Sequence, residues 1–184
     1  MPLQPEQELI ARAVAGERQA FRQLVEGYQG FLYAVAYRYM SNEAEAEDAV
    51  QETFIKLWKN LPKYRPEIKL TTWMYRILVN HCLDLKKTHV SRYRQYQVST
   101  EMAVNFSTGS TPHTEMEGRE LEATLQRATD QLSGKQKMIY VLRDMEGMEV
   151  HEVCALVGLN EDQVKSNLYH ARKKVQEWIR KNYQ

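Results

Sequence analysis

Residues 97–114, QVSTEMAVNFSTGSTPHT, decide how this chain can fold. Seven of the 18 are Ser or Thr, Glu101 is the only Asp, Glu, Lys or Arg, and no apolar period runs across them. Such a stretch buries too little surface to offset the entropy of ordering it, so it reads as a flexible linker, taken as 97–117. The 184 residues, 43% hydrophobic, then divide into two lobes, 1–96 and 118–184. Each has room for one small helical core.

The first lobe carries helical periods. Leu9, Ile10 and Val14 open an apolar stripe that Gly16 interrupts, and Phe21, Leu24, Val25, Tyr28, Phe31, Leu32, Val35 and Tyr39 continue it. Ser41 is expected to cap the next helix, whose early acids suit the positive helix end. In that helix Val50, Phe54, Leu57 and Trp58 share one face, while Asp48, Glu52 and Lys56 line another. Pro62 and Pro66 bound a loop, and Thr71 or Thr72 restarts a helix to about Lys87. Its apolar stripe is Met74, Ile77, Leu78, Cys82 and Leu85, and its exposed stripe includes Trp73, Arg76, Asn80 and Lys87.

In the second lobe Leu121, Leu125, Ala128 and Leu132 mark one helix. Ser133 and Gln136 have capping-box spacing ahead of Met138, Val141, Leu142 and Met145, and Gly147 stops that helix. A short helix follows to about Val157, Gly158 turns the chain, and Asn160 caps the last helix with Gln163 three residues on. No β-alternation of useful length occurs, so the expected class is all-α.

Net charge is only +1, but it is segregated. Residues 42–53 hold five acids and no base, whereas 69–94 hold six bases against Asp84 and 163–184 six against Glu177. Separate charged blocks suit separate partners, although solvated helix faces give the same pattern. Cys82 and Cys154 lie far apart among apolar neighbours, which fits reduced thiols of a cytoplasmic protein. No run approaches the ~18 apolar residues of a membrane span. His151 with Cys154, and His81 with Cys82, are too few and wrongly disposed for a metal site, so no metal or cofactor is expected.

Val150–Val157, the Gly158 turn and Glu161–Val175 meet each requirement of a DNA-reading helix-turn-helix, the favoured reading, although helix–Gly–helix units also occur in ordinary bundles. Val153, Leu156, Leu159, Val164 and Leu168 supply its apolar positions. Gln163, Lys165, Ser166, Asn167, Tyr169 and His170 supply polar groups for base edges or phosphates. In the first lobe Tyr64, Arg65, Lys69, Thr72, Trp73, Arg76 and Asn80, followed by Lys86 and Lys87, interleave aromatics with bases. That mixture suits single-stranded nucleic acid. The acidic helix, with Asp48, Gln51, Glu52, Phe54 and Trp58, suits a protein partner. A stand-alone regulator with a ligand-binding or dimerising first lobe is the alternative. No phosphate loop, metal set or nucleophile–base arrangement points to an enzyme.

DAVQETFIKLWKNLPKYRPE, KLTTWMYRILVNHCLDLKK and LSGKQKMIYVLRDMEGMEVHEVCALVGLNEDQVKSNLYHARKK occur in that order. Together they closely resemble the extracytoplasmic-function group of bacterial sigma factors over about residues 17–90 and 118–180. The resemblance implies that Asp48, Gln51, Glu52 and Trp58 dock on core RNA polymerase. It implies that Tyr64, Lys69, Thr72, Trp73, Arg76 and Asn80 capture the unpaired minus-ten promoter strand, with Lys86 and Lys87 on adjacent duplex. For the minus-thirty-five element it implies Gln163, Lys165, Ser166, Asn167 and His170, with Arg172 and Lys173 on phosphates. Many members are held inactive by an anti-sigma factor, often membrane-anchored. Three positions depart from the family pattern: Glu149 stands where Ser or Thr usually caps the support helix, Cys154 replaces an alanine, and Asn167 replaces a frequent arginine.

Overall fold

The computed structural model describes the backbone of residues 4–96 and 113–182, and side chains within 6–87 and 120–182. Two compact units divide the chain. One takes in residues up to Cys82 with Cys154–Gly158, the other Leu83–Val153 with Leu159–Gln184. The described residues are helical throughout, without strands.

The early helices are α1 (Gln4–Val14), α2 (Arg18–Met40), α3 (Glu43–Asn60), a 3-10 turn (Leu61–Lys63) and α4 (Leu70–Tyr96). Gly16, at φ 91, breaks the chain between α1 and α2 as its position suggested. The cap of α3 is not Ser41. Ser41 takes the left-handed conformation (φ 59) and closes α2, its N–H donating to the Tyr37 carbonyl at 2.9 Å. The extended conformation of an N-cap therefore falls to Asn42, whose Oδ1 accepts from the Glu45 N–H at 3.0 Å. Helix α4 starts at Leu70, one or two residues before the expected threonines, and runs to Tyr96 rather than Lys87. Its first turn draws on the Lys69 carbonyl, which accepts from the Trp73 N–H at 3.2 Å, and no Gly or Pro interrupts it.

Leu24, Leu32, Val35 and Tyr39 of α2 are buried, with Val50, Phe54 and Leu57 of α3 and Met74, Tyr75, Leu78, Val79 and Cys82 of α4. Ala13, Ala20, Ala36, Ala46 and Ala49 are equally buried, and no stripe of large apolar residues marked them. Without bulk beyond Cβ, they sit where helices approach closely. Thr53 is also buried, and its hydroxyl donates to the Ala49 carbonyl at 2.7 Å. Some residues of the expected stripes stand further out: Phe31 is 48% exposed, meeting Tyr75 edge-on at 5.2 Å, and Val25, Tyr28, Ile77 and Leu85 are among those half-buried. Burial pushes the Cys82 thiol up to about 12, so it stays protonated and behaves as a core residue.

The later helices are α5 (His113–Asp130), α6 (Gly134–Tyr140) running into a wide π turn (Val141–Met145), α7 (Val150–Val157) and α8 (Glu161–Asn182). Of the expected linker 97–117, residues 97–112 lie outside the described residues, and 113–117 form the first part of α5. Ser133 and Gln136 make the capping box reciprocally: the Gln136 N–H donates to Ser133 Oγ at 3.3 Å, and the Ser133 N–H to Gln136 Oε1 at 3.4 Å. Ala128, Leu132, Ala171 and Val175 form a buried cluster, with Leu125, Tyr140, Trp178 and Ile179 packed on it. Leu121, expected in that stripe, is 69% exposed.

One buried residue had no sequence signal. Lys137, on the first turn of α6, has a fully buried side chain whose Nζ donates to Asp130 Oδ1 at 2.6 Å. Burial pulls the ammonium below its usual range, and the Asp130 carboxylate acts against that shift. Removing one partner of such a pair costs more than replacing the charge with an apolar isostere. Asp130→Ala should therefore lower stability by about 1–3 kcal/mol, the modest end because Asp130 is 41% exposed. Lys137→Met should cost less. Thermal unfolding of the full chain decides it, and a larger loss for Lys137→Met would contradict the account.

Candidate nucleic-acid interface

Three surfaces carry the residues singled out by sequence. On α3, Asp48 and Gln51 are exposed, while Glu52 and Trp58 are half-buried. Glu52 pairs with Lys56 at 3.6 Å along the helix. The indole of Trp58 lies against Phe21, ring centres 4.7 Å apart, so Trp58 is partly a core residue of the α2–α3 pair. Beside it a groove of about 960 Å³ is lined by Phe21, Val25, Tyr33, Gln51, Ile55 and Trp58 among others. Gln51 and Trp58 thus open onto one apolar groove, and Asp48 and Glu52 are not part of its lining. Ile55, 39% exposed, belongs to the groove and was missed, since it falls outside the apolar stripe of α3.

The second surface begins in the loop before α4. Tyr64 leaves the 3-10 turn in extended conformation, and its hydroxyl donates to the Ile68 carbonyl at 2.8 Å, drawing the loop together. Its ring stacks on Trp73, with ring centres 5.6 Å apart and planes inclined at 21°. Lys69, just before α4, and Trp73, Arg76 and Asn80 on it recur at three- and four-residue steps, with Lys87 seven residues further on, so they share one face, and Thr72 lies one residue to its side. Lys69, Arg76, Asn80 and Lys87 are exposed, while Thr72, Trp73 and Lys86 are half-buried. Lys87 pairs with Asp84 at 3.0 Å, both side chains over 70% exposed, a contact of little energetic weight.

The third surface is the helix–turn–helix of α7, Gly158 and α8. Gly158 takes φ 67, with its N–H bonded to the Cys154 carbonyl at 3.0 Å, the usual way glycine ends a helix. Asn160 and Gln163 cap α8 reciprocally: the Gln163 N–H donates to Asn160 Oδ1 at 2.8 Å, and the Asn160 N–H to Gln163 Oε1 at 3.1 Å. The expected cap is therefore present. It engages the Gln163 side chain, which is exposed at the start of α8. Glu149 makes no Ser- or Thr-type cap on α7; instead its N–H donates to Glu152 Oε2 at 2.9 Å.

Val153, Leu156, Val164 and Leu168 are buried, while Leu159 is half-buried. Lys165, Ser166, Tyr169, His170, Arg172 and Lys173 are exposed on α8. Asn167 differs from its neighbours. It is half-buried, and its Nδ2 donates to the Gln163 carbonyl one turn back at 2.8 Å. Lys165 pairs with Glu161 at 3.1 Å and Lys173 with Glu177 at 3.9 Å, all four side chains about 60% exposed. Arg172 reaches off the helix to Asp144, with Nε and Nη2 at 2.8 and 2.6 Å from the two carboxylate oxygens.

An all-helical chain with a basic helix-turn-helix, a second aromatic-basic helix face and a separate acidic-apolar helix belongs to the class of DNA-binding transcription factors. The match to known proteins is more specific. The Sigma-70 region 2 family model matches residues 24–92, and the Sigma-70, region 4 model matches 122–175. The ECF RNA polymerase sigma-E factor of Escherichia coli K12 is 30% identical over 186 residues, covering 96% of this chain and 97% of that protein. The one from Haemophilus influenzae is 29% identical over 180 residues, 95% of each. Among solved structures, CnrH in complex with the cytosolic domain of CnrY is 25% identical with a TM-score of 0.69, covering 96% of this chain and 98% of that one. The sigma factor RpoE of Bartonella quintana, in complex with the anti-sigma factor NepR, shares the fold at 21% identity and TM-score 0.68, over 88% of this chain and 98% of that one.

The chain belongs to the extracytoplasmic-function group of sigma-70 RNA polymerase sigma factors. It is a promoter-recognising initiation factor for RNA polymerase and carries out no chemistry of its own.

The turn of the helix-turn-helix yields one prediction. A Cβ at Gly158 would meet nothing within 4 Å, so only the left-handed backbone opposes it. Gly158→Ala should destabilise the chain by about 1 kcal/mol, without a packing clash, measured by chemical denaturation.

Proposed function

We propose that the three surfaces divide the work of promoter-specific initiation among them. Residues 1–96 act as the lobe for core polymerase and the minus-ten element, 97–117 as linker, and 118–184 as the lobe for the minus-thirty-five element. Asp48, Gln51, Glu52 and Trp58 dock on core polymerase, where the acidic edge of α3 steers a basic partner and the neighbouring groove takes its apolar side chains. Tyr64, Lys69, Thr72, Trp73, Arg76 and Asn80 hold the unpaired minus-ten strand, and Lys86 and Lys87 lie on the duplex beside it. Gln163, Lys165, Ser166, Asn167 and His170 face the minus-thirty-five element, Arg172 and Lys173 its phosphates, and Gln163 also fixes where α8 begins.

The observation that carries this reading is the Tyr64–Trp73 stack at the head of the Lys69–Arg76–Asn80 face. Stacked rings beside a row of phosphate-binding groups can take up flipped bases, each stacking contact contributing ~1–3 kcal/mol. A regulator that reads only duplex DNA has no use for such a platform. No helix among the described residues is long and apolar enough to cross a membrane, and action in the cytoplasm follows from the role. The structures of CnrH with the CnrY cytosolic domain and of RpoE with NepR make an anti-sigma factor, membrane-anchored or free, the expected negative partner.

Reconstitution tests the assignment. Mixed with core polymerase, the chain should co-elute with it and start transcription on its own promoter; failure of both would remove the reading. Trp73→Ala should weaken the open complex by about 1–3 kcal/mol in a base-reactivity footprint, with core binding unchanged. A parallel loss of core binding would mean misfolding instead. For the upstream contact, Lys165→Ala should reduce the salt dependence of duplex binding by about 0.9 in log–log slope. Its exposed pair with Glu161 at 3.1 Å is no obstacle, since such a pair opens at little cost.

A further inference from the structure

Arg172 differs from the other cations that α8 offers to DNA. Lys165 and Lys173 pair along the helix with residues four positions away, ammonium to carboxylate. Arg172 is instead held across the unit by a residue 28 positions earlier, through a two-pronged contact at 2.8 and 2.6 Å. The Asp144 side chain is 20% exposed and that of Arg172 58%, so the carboxylate sits inward and the guanidinium outward.

Asp144 owes its position to an irregular turn. The Glu146 N–H donates to the Val141 carbonyl at 2.9 Å, a bond spanning five residues rather than four, and Met148 N–H reaches back to Leu142 at 3.0 Å. A turn of that width displaces its side chains from α-helical register. Tyr140, just before the turn, packs on the cluster that contains Ala171, the residue before Arg172, and burial with the nearby Asp144 raises its phenol above the usual range.

A guanidinium carries five N–H groups in two forks. Asp144 takes the side fork, Nε and Nη2. The end fork, Nη1 with the remaining N–H of Nη2, is left for a second acceptor with two oxygens, such as a phosphate. We infer that Asp144 is a positioning residue for promoter binding, holding Arg172 with its end fork presented to a duplex phosphate. The inference rests on the reading of α8 as the duplex-binding helix. It runs against simple electrostatics, because an aspartate near DNA repels phosphate and its removal should otherwise tighten binding.

That opposition of signs gives the test. Holoenzyme assembled from the full chain and core polymerase is titrated onto a fluorescent duplex carrying the upstream half of its promoter, over a series of salt concentrations. Asp144→Ala should weaken binding about fivefold and lower the salt slope by about 0.9, close to the effect of Arg172→Ala. The double variant should be no weaker than Arg172→Ala alone, because both remove the same contact. Asp144→Glu, which keeps the carboxylate, should recover most of the affinity, a rescue that a merely structural turn residue would not show. Should Asp144→Ala fail to fold, Asp144→Asn replaces it, with the same expected loss.

Binding by Asp144→Ala as tight as wild type or tighter, or an additive double variant, overturns the inference. Lys165→Ala separates the two levels. If it flattens the salt slope while the Asp144 variants do not, only the role of Asp144 falls; if neither Lys165→Ala nor Arg172→Ala alters binding, the reading of α8 falls with it.

Discussion

Where each helix begins decides which of its side chains face outward, because one residue of slip turns every side chain by about 100°. For α3, α6 and α8 those starting points rest on side chains that take up backbone N–H groups the helix cannot satisfy itself. Asn42 does so for α3, Ser133 with Gln136 for α6, and Asn160 with Gln163 for α8. The last of these sets the register that turns Lys165, Ser166 and His170 outward and Val164 and Leu168 inward. Gly158 completes it by ending α7 in a conformation that side-chain-bearing residues adopt only with strain.

On that framework the contact surfaces are what the cores leave over. In the first unit, buried alanines on α2 and α3 bring helices close and spend the largest aromatics partly on the interior. Trp58 shows the compromise: half-buried, it packs on Phe21 and also lines the groove with Gln51 and Ile55. Trp73 shows it again: its half-buried ring is stacked on Tyr64, so the two rings proposed as a base platform hold each other in orientation.

Charge is managed similarly. Lys165, Arg172 and Lys173 of α8 and Lys137 of α6 carry intramolecular partners, but these differ in kind. Exposed pairs such as Lys165–Glu161 open at little cost and leave the cation available to DNA. The Lys137–Asp130 pair, buried at the ammonium and exposed at the carboxylate, cannot open so cheaply and fastens the end of α5 to the start of α6. Arg172–Asp144 lies between these cases, inward at the carboxylate and outward at the guanidinium.

The all-helical class, the two-lobe division and the motif order were legible in the amino-acid sequence, because period, composition and cap spacing are local properties of the chain. The capping boxes at Ser133 and Asn160 and the glycine stops at Gly147 and Gly158 stand where their spacing put them. Ser41 and Asn42 were not separable by sequence. Both are good caps, and only the left-handed closure of α2 assigns one to each helix. Burial of the alanines, of Thr53 and of Lys137, and exposure of Phe31 and Leu121, depended on which helices meet, information no single helical period contains. The same holds for Asn167 and Arg172. Sequence placed both on the reading helix, but the tertiary structure decided that one bonds back to its own helix and the other is clamped by a distant aspartate. Local patterns specify elements and their ends; which polar groups remain open to a partner is settled only when the elements pack.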